Sequence, residues 1–296
     1  DKMELICPDA WLINFTNPSG IISEFIQNHT KVKSIGLCNV PINMLDDTRE
    51  ISGDGSEITY LGINHLSWIT SVRKDGEDVL PAMMESGFST KVMENITDDG
   101  FSMECLRAIK AIPSSYLQYY YGREAKLKHL KEESKSRAQV CMEIEEQLLE
   151  MYSDVNLTVK PALLDKRGGH KYSLAAVSLI DAIANDKKTV NVVNIKNGDT
   201  LPFMDKDDIV EIAAVVGKDG AVPVKVEHID NRHIIGLMRV VKEYEKYAVK
   251  AGMTGSNEDA MNALLIHPLV GDWSNASKCF EEMKLAHKEY LPQFAM

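Results

Sequence analysis

The stretch WLINFTNPSGIISEFIQNH, Trp11 to His29, decides how the chain is built. WLINFT is a short apolar run closed by the turn-forming NPSG, which predicts a buried strand over Trp11–Thr16. Ile21 to Ile26 then carries a helical spacing that ends near Asn28 and His29. SIGLC, Ser34–Cys38, is again a short buried strand, and Pro41 stands where a first helical position would, ahead of Ile42, Met44 and Leu45. Strand, loop, helix, strand, helix is the rhythm of an α/β protein.

Working outward, Glu57–Ile63 and Leu66–Val72 are β-rich, and RKDGED supplies a turn, so an antiparallel hairpin is expected here with His65 at the end of its first strand. From Gly100 the pattern becomes helical. Met103–Ile112 is followed by a Pro-Ser-Ser break, then Tyr116–Tyr121, the charged segment KLKHLKEESKS, and a long helix from about Arg137 to Tyr152. Arg137, Val140, Ile144, Leu148 and Met151 recur at three- and four-residue steps, so Arg137 heads an apolar stripe. Gly168-Gly169 opens another helix, with Tyr172, Ala175, Leu179 and Ile183 on its buried side. Val190–Ile195, Ile209–Val216 and Val222–Val226 read as strands separated by NG and DG turns, and helices fill Asn231–Leu291. The expectation is an α/β to α+β fold with a mixed sheet and many helices.

Composition narrows the function. With 296 residues, 44% hydrophobic and 26% charged, the chain can bury a large core, and no run approaches the length that spans a bilayer. The five cysteines are an odd set without a CxxC pair, which points to reduced thiols and a cytoplasmic protein. A net charge of −11 argues against nucleic acid, whose backbone needs clustered Lys and Arg, but allows a small anion held by a few local arginines.

Candidate chemistry gathers at strand ends. Asn14, Thr16, Asn17 and Ser19 lie where an open α/β sheet binds ligands, although the same residues can form an Asx turn into a helix cap. Cys38 ends the next strand at the same edge; a lone cysteine there is more often a buried structural thiol. His65 could be a turn histidine, a base or a metal ligand, and Cys38 with His65 could hold one metal between them with several positions open. In SSYLQYYYG, Tyr116, Tyr119, Tyr120 and Tyr121 are mostly packing residues, and one acts as a base only if a cation lowers a pKa near 10. Arg137 is an anion clamp or a snorkelling helix-end arginine. Arg167-Gly168-Gly169 is an anion nest or a tight turn.

These pieces in this order resemble the NAD- and metal-dependent family 4 glycoside hydrolases. The resemblance runs through INFTNPSG, IGLCNVPI, GINHLSWI, IPSSYLQYYY, SRAQVCMEIEEQLLEMY, RGGHKYSLAAVSLIDAI and ALLIHPLV, and so covers nearly the whole chain. The wording GLCNVP is similar to the 6-phospho-β-glucosidase branch. The resemblance implies a fold like that of lactate and malate dehydrogenases, and a hydrolysis outside the paired-carboxylate scheme. NAD takes hydride from C3 of the sugar, a base removes the acidified C2 proton, the aglycone leaves, water adds and the hydride returns. It implies a divalent metal, usually Mn2+, at Cys38 and His65, and Tyr116 as the C2 base. It places Arg137 at the substrate and Asn17 between substrate and nicotinamide, and makes Asn39 a weaker sugar-side contact. Substrates would be phosphorylated disaccharides or aryl glucosides, and the protein a homo-oligomer, dimer or tetramer.

The family's phosphate loop and ribose partner belong to a segment that would precede WLINFT. The expectation is therefore a C-terminal portion in which residues 1–40 carry the last strands of a Rossmann-type domain and 41–296 the substrate and metal domain. The rival readings are an NAD-dependent 2-hydroxy acid dehydrogenase-like enzyme and a non-catalytic folding or oligomerisation module. On the family reading, this polypeptide alone should bind NAD poorly and turn over a chromogenic 6-phospho-β-glucoside negligibly; NAD-dependent colour release would refute that.

Overall fold

The computed structural model describes residues 2–86, 100–168, 171–226 and 229–294. Helix α1 (Lys2–Ile6) leads into β1 (Trp11–Asn14), α2 (Ser19–His29), β2 (Lys33–Gly36) and α3 (Val40–Ser52). Next come β3 (Glu57–Ile63), β4 (Leu66–Lys74), β5 (Glu77–Asp78), α4 (Leu80–Glu85), α5 (Met103–Ile109) and β6 (Ile112–Pro113). A 3-10 turn, Ser115–Leu117, precedes α6 (Gln118–Tyr121), α7 (Arg123–Glu132), α8 (Arg137–Tyr152), α9 (Leu163–Arg167) and α10 (Tyr172–Ala184). The chain continues through β7 (Thr189–Lys196), β8 (Ile209–Gly217), β9 (Gly220–Pro223), α11 (Arg232–Thr254), α12 (Asn257–Ile266) and α13 (Trp273–Ala286). The mixed α/β expectation is met. No described helix is long and apolar enough to cross a membrane.

The chain forms two compact units, each discontinuous in sequence. The first comprises residues 1–38, 59–67 and 179–296. In it β1 and β2 run parallel, from Trp11 opposite Lys33 to Asn14 opposite Gly36, with α2 as their crossover. Gly36 then faces Asn194 of β7 in an antiparallel step. The long β7–β8 ladder, Thr189 opposite Val216 to Lys196 opposite Ile209, is followed by β3 on the far side of β8, Gly62 opposite Glu211. Strand β8 is covered on both faces: Ile209, Val210, Glu211, Ile212, Ala214 and Val216 are all buried.

Helix α2 buries an unexpected face. Its apolar Ile21, Ile22 and Ile26 are only half-buried, while Ser19, Gly20, Ser23 and Glu24 lie inside. The reason is on α11, whose amphipathic inner stripe of Ile234, Met238, Val241, Glu245 and Val249 also contains Lys242. The Lys242 ammonium, 1% exposed, lies 3.0 Å from Glu24 Oε2 and also pairs with Glu245. Glu24 is used completely, since Oε2 accepts from the Ile209 backbone N–H at 3.0 Å and Oε1 from Asn28 Nδ2 at 2.8 Å. A buried cation costs several kcal/mol of desolvation unless paired, so α2, α11 and the start of β8 form one electrostatic unit.

The second unit comprises residues 39–58 and 68–178. Its core gathers Trp68, Ile69, Val72, Leu106, Ile112 and Leu117. The helix predicted through Ile112 stops at Ile109, because Lys110 turns left-handed (φ 55°) and Ile112 then pairs with Ile69 of β4. The segment KLKHLKEESKS is helical as far as Glu132. Helix α8 starts where predicted, on a capping box in which the Ser136 hydroxyl accepts from Gln139 N and the Gln139 side chain accepts from Ser136 N. Of its stripe, Ile144 and Leu148 are buried and Met151 is exposed.

Strand boundaries in the first unit also differ from expectation: β1 ends at Asn14, not Thr16, where the Asn14 side chain turns the chain. β2 ends at Gly36, although Leu37 N still donates to Asn14 O at 2.9 Å. β9 begins at Gly220, not Val222, because a two-residue Lys218-Asp219 turn returns the chain at once onto β8, with Gly220 at φ 108°. Replacing Lys242 by Met leaves two buried carboxylates without a cation and is expected to lower unfolding free energy by about 3–5 kcal/mol. Urea titration of the variant measures it, and a loss below about 1 kcal/mol would show that Lys242 does not carry this role.

Candidate active site

The loop after β1 is shaped by Asn14, whose Oδ1 accepts from Thr16 N at 3.1 Å and whose Nδ2 donates to Thr16 O at 3.2 Å. Asn14 is therefore the Asx residue, and Thr16, Asn17 and Pro18 are left exposed at the carboxyl end of the strand. Gly20 opens α2 with no room for a side chain: a Cβ there would meet Glu245 Oε1 at 2.5 Å and Asn64 Cβ at 3.2 Å. The loop is thus pressed against the turn that carries His65.

That turn is tight. Asn64 and His65 alone separate β3 from β4, and His65 takes the left-handed conformation, φ 66°. A Cβ on Gly62 would lie under 3.0 Å from the Leu66 carbonyl and the Ser67 backbone, so only glycine lets the chain fold back this closely. The enclosed His65 imidazole loses solvation and its pKa falls to about 4, which keeps it neutral, the form that binds a metal.

Cys38 follows β2, is 2% exposed and is a free thiol. A buried polar network ties together β3, the turn that carries His65, β7 and β8. Glu211 of β8, 0% exposed, accepts from Tyr60 OH at 2.6 Å through Oε2, and from Asn194 Nδ2 at 3.0 Å and Asn64 Nδ2 at 3.2 Å through Oε1. Burial lifts the Glu211 carboxyl above its ordinary range against the pull of these three donors. The Tyr60 phenol is pushed well up, first by burial and then by Glu211.

The remaining predicted residues belong to the second unit. Asn39 is buried at the start of α3 and makes no side-chain cap bond. Tyr116 is half-buried on the 3-10 turn. Its neighbours in the run have other duties: Tyr121 OH accepts from Trp68 Nε1 at 3.2 Å, and burial raises its pKa to about 12, while Lys126 lies 5.7 Å over the Tyr119 ring. Arg137 is half-buried, and its Nη2 donates to the carbonyls of Lys166 at 2.9 Å and Arg167 at 3.1 Å, the free end of α9. Gly168 has φ 82° after α9; the Gly169 part of the expected anion nest lies outside the described residues.

The donor set suits a divalent cation with open positions. Among the described residues no group of three or more His, Cys, Asp and Glu could hold a metal, and a thiol with a neutral imidazole is a donor pair that a divalent cation accepts only with other ligands completing its shell. The exposed Asn17, at the carboxyl ends of two parallel strands, likewise suits a nucleotide contact. Sequence reasoning missed Tyr60, Asn64, Glu211, Glu24, Lys242 and Glu245. The signal available was a lone Glu inside IVEIAAVV and a lone Lys on an apolar helix stripe, each of which demands a partner when buried.

Residues 60–270 match the sequence profile of the Family 4 glycosyl hydrolase C-terminal domain, and residues 1–53 match that of Family 4 glycosyl hydrolase. A probable 6-phospho-beta-glucosidase of Bacillus subtilis is 36% identical over a gapped alignment 302 positions long that covers 99% of this chain and 68% of the relative. The 6-phospho-beta-glucosidase of Escherichia coli K12 is 36% identical over a gapped alignment 306 positions long, with the same two coverages of 99% and 68%. The structure of the 6-phospho-beta glucosidase from Thermotoga maritima with manganese, NAD+ and glucose-6-phosphate superposes with a TM-score of 0.84 at 32% identity, covering 96% of this chain and 67% of that one. The chain thus spans about two thirds of the length of these proteins.

Arg137→Met removes the guanidinium from the α9 carbonyls and is expected to cost about 1 kcal/mol of stability. Denaturant unfolding checks this, and an unchanged midpoint would mean that the two bonds add nothing.

Proposed function

Because the chain belongs to family 4 of the glycosyl hydrolases, we propose that it hydrolyses 6-phospho-β-D-glucosides, with Cys38 and His65 holding a divalent metal and Tyr116 removing the sugar C2 proton. Arg137 and Asn39 contact the sugar, and Asn17 stands between substrate and nicotinamide. What supports this reading is the family match over residues 60–270 together with a buried Cys38 thiol and a His65 imidazole that enclosure keeps neutral. When bound, NAD supplies reversible hydride transfer and the divalent ion supplies Lewis acidity.

The chain's own groups do the rest. Of the run's tyrosines, Tyr121 accepts from Trp68 and its pKa is raised to about 12, and Tyr119 lies under Lys126; Tyr116 is the one that matches the family's base. A tyrosine near its ordinary pKa of about 10 needs adjacent positive charge to accept a proton at neutral pH. The Arg137 guanidinium has five N–H donors in a fixed plane, and its bonds to the α9 carbonyls hold that plane for a substrate oxygen.

The substrate is a phosphorylated disaccharide or an aryl glucoside, and the compartment a reducing cytoplasm, in keeping with five free cysteines of which Cys7 and Cys279 are exposed. Exposed Leu174, Val177 and Ile180 recur along α10 and suit a homo-oligomer contact. We retain the division into a nucleotide-side segment, 1–40, and a substrate and metal domain, 41–296.

In the full-length protein, Tyr116→Phe should lower kcat by about 10²- to 10⁴-fold with metal affinity intact. Cys38→Ser should lose both metal binding and activity while keeping the far-UV circular dichroism of the parent. Release of nitrophenol from a 6-phospho-β-glucoside with NAD and Mn2+ measures activity. Turnover of Cys38→Ser equal to the parent would return Cys38 to the core.

A further inference from the structure

We infer that Glu211 and Asn64 are positioning residues for the metal, acting on His65 through the turn they hold; the inference rests on Cys38 and His65 being its ligands. Glu211 sits in the enclosed strand β8 of the first unit and is hydrogen-bonded into the segments that lead to both proposed ligands. Its Oε1 accepts from Asn64, the residue next to His65 in a two-residue turn, and from Asn194, which faces Gly36 two residues before Cys38. Its Oε2 accepts from Tyr60 of β3, the strand that leads into that turn.

Asn64 is held from two sides. Its amide donates to Glu211, and its Cβ sits against the bare Cα of Gly20. With Asn64 fixed and Gly62 closing the other side of the turn, His65 stays left-handed, a conformation that a non-glycine residue keeps only when its surroundings enforce it. A site with only two protein donors depends heavily on where those donors point, and residues that orient ligands are typically worth 10- to 100-fold in metal affinity. The role asked of Glu211 is to accept, not to carry charge. A glutamine there can still accept from both asparagine amides through its oxygen while its NH2 donates to the Tyr60 oxygen.

The test uses the full-length protein and Co2+ alone, read by the thiolate-to-cobalt absorption in the near ultraviolet. Cys38→Ser tests the metal reading itself and should abolish the band; no band in the parent, or a full band in Cys38→Ser, overturns that reading and this inference with it. Given a band in the parent, Asn64→Ala should raise the Co2+ dissociation constant at least tenfold with the metal-free Tm within about 2 °C of the parent, and Glu211→Gln should stay within about threefold. Parent-like affinity in Asn64→Ala overturns the inference. So does weaker binding accompanied by a collapsed Tm, or a loss in Glu211→Gln as large as in Asn64→Ala.

Discussion

A lysine ammonium buried between two carboxylates organises the first unit. The buried Lys242 ammonium is paired with Glu24 and Glu245, and removing any one of the three would leave the others with an uncompensated desolvation cost. Because Glu24 lies on α2 and Lys242 on α11, the pairing decides which face of α2 turns inward, against the preference of its isoleucines. Since α2 is the crossover between β1 and β2, the same pairing sets where the two parallel strands end. Those ends carry Asn17 and Cys38.

A second buried carboxylate plays a comparable part at the other strands. Glu211 is neutralised by hydrogen bonds instead of by a cation, and its three donors come from β3, the β3–β4 turn and β7. Each donor would be orphaned without it, which makes the network cooperative and rigid. The two devices meet at Gly20, where Glu245 from α11 and Asn64 from the turn both approach a position without a side chain. Rigidity of this kind is what a chemistry needs when metal, cofactor and substrate supply most of the reacting atoms and the protein supplies placement.

Much of this was legible in advance. The β1–α2–β2 start, the hairpin around His65, the capped α8 and the β7–β8 pair follow from local patterns: short apolar runs between turn residues, a Ser-x-x-Gln box, apolar steps of three and four. Local patterns failed where a long-range contact chose. Ile112-Pro113 looks like the end of a helix until β4 offers it a strand partner, and the exact start of β9 depends on a turn that lets it pair with β8 without delay.

By itself the sequence determined the fold class and the family, because period, turn chemistry and motif order are properties of neighbours along a chain. Tertiary structure alone decided which polar groups go inside. Whether Glu24, Glu211, Glu245 and Lys242 can be buried depends on partners that lie far away in sequence, such as Lys242 for Glu24 and Tyr60 for Glu211. Desolvation makes each of them prohibitive alone and favourable only together. No local window contains both halves of such a pair.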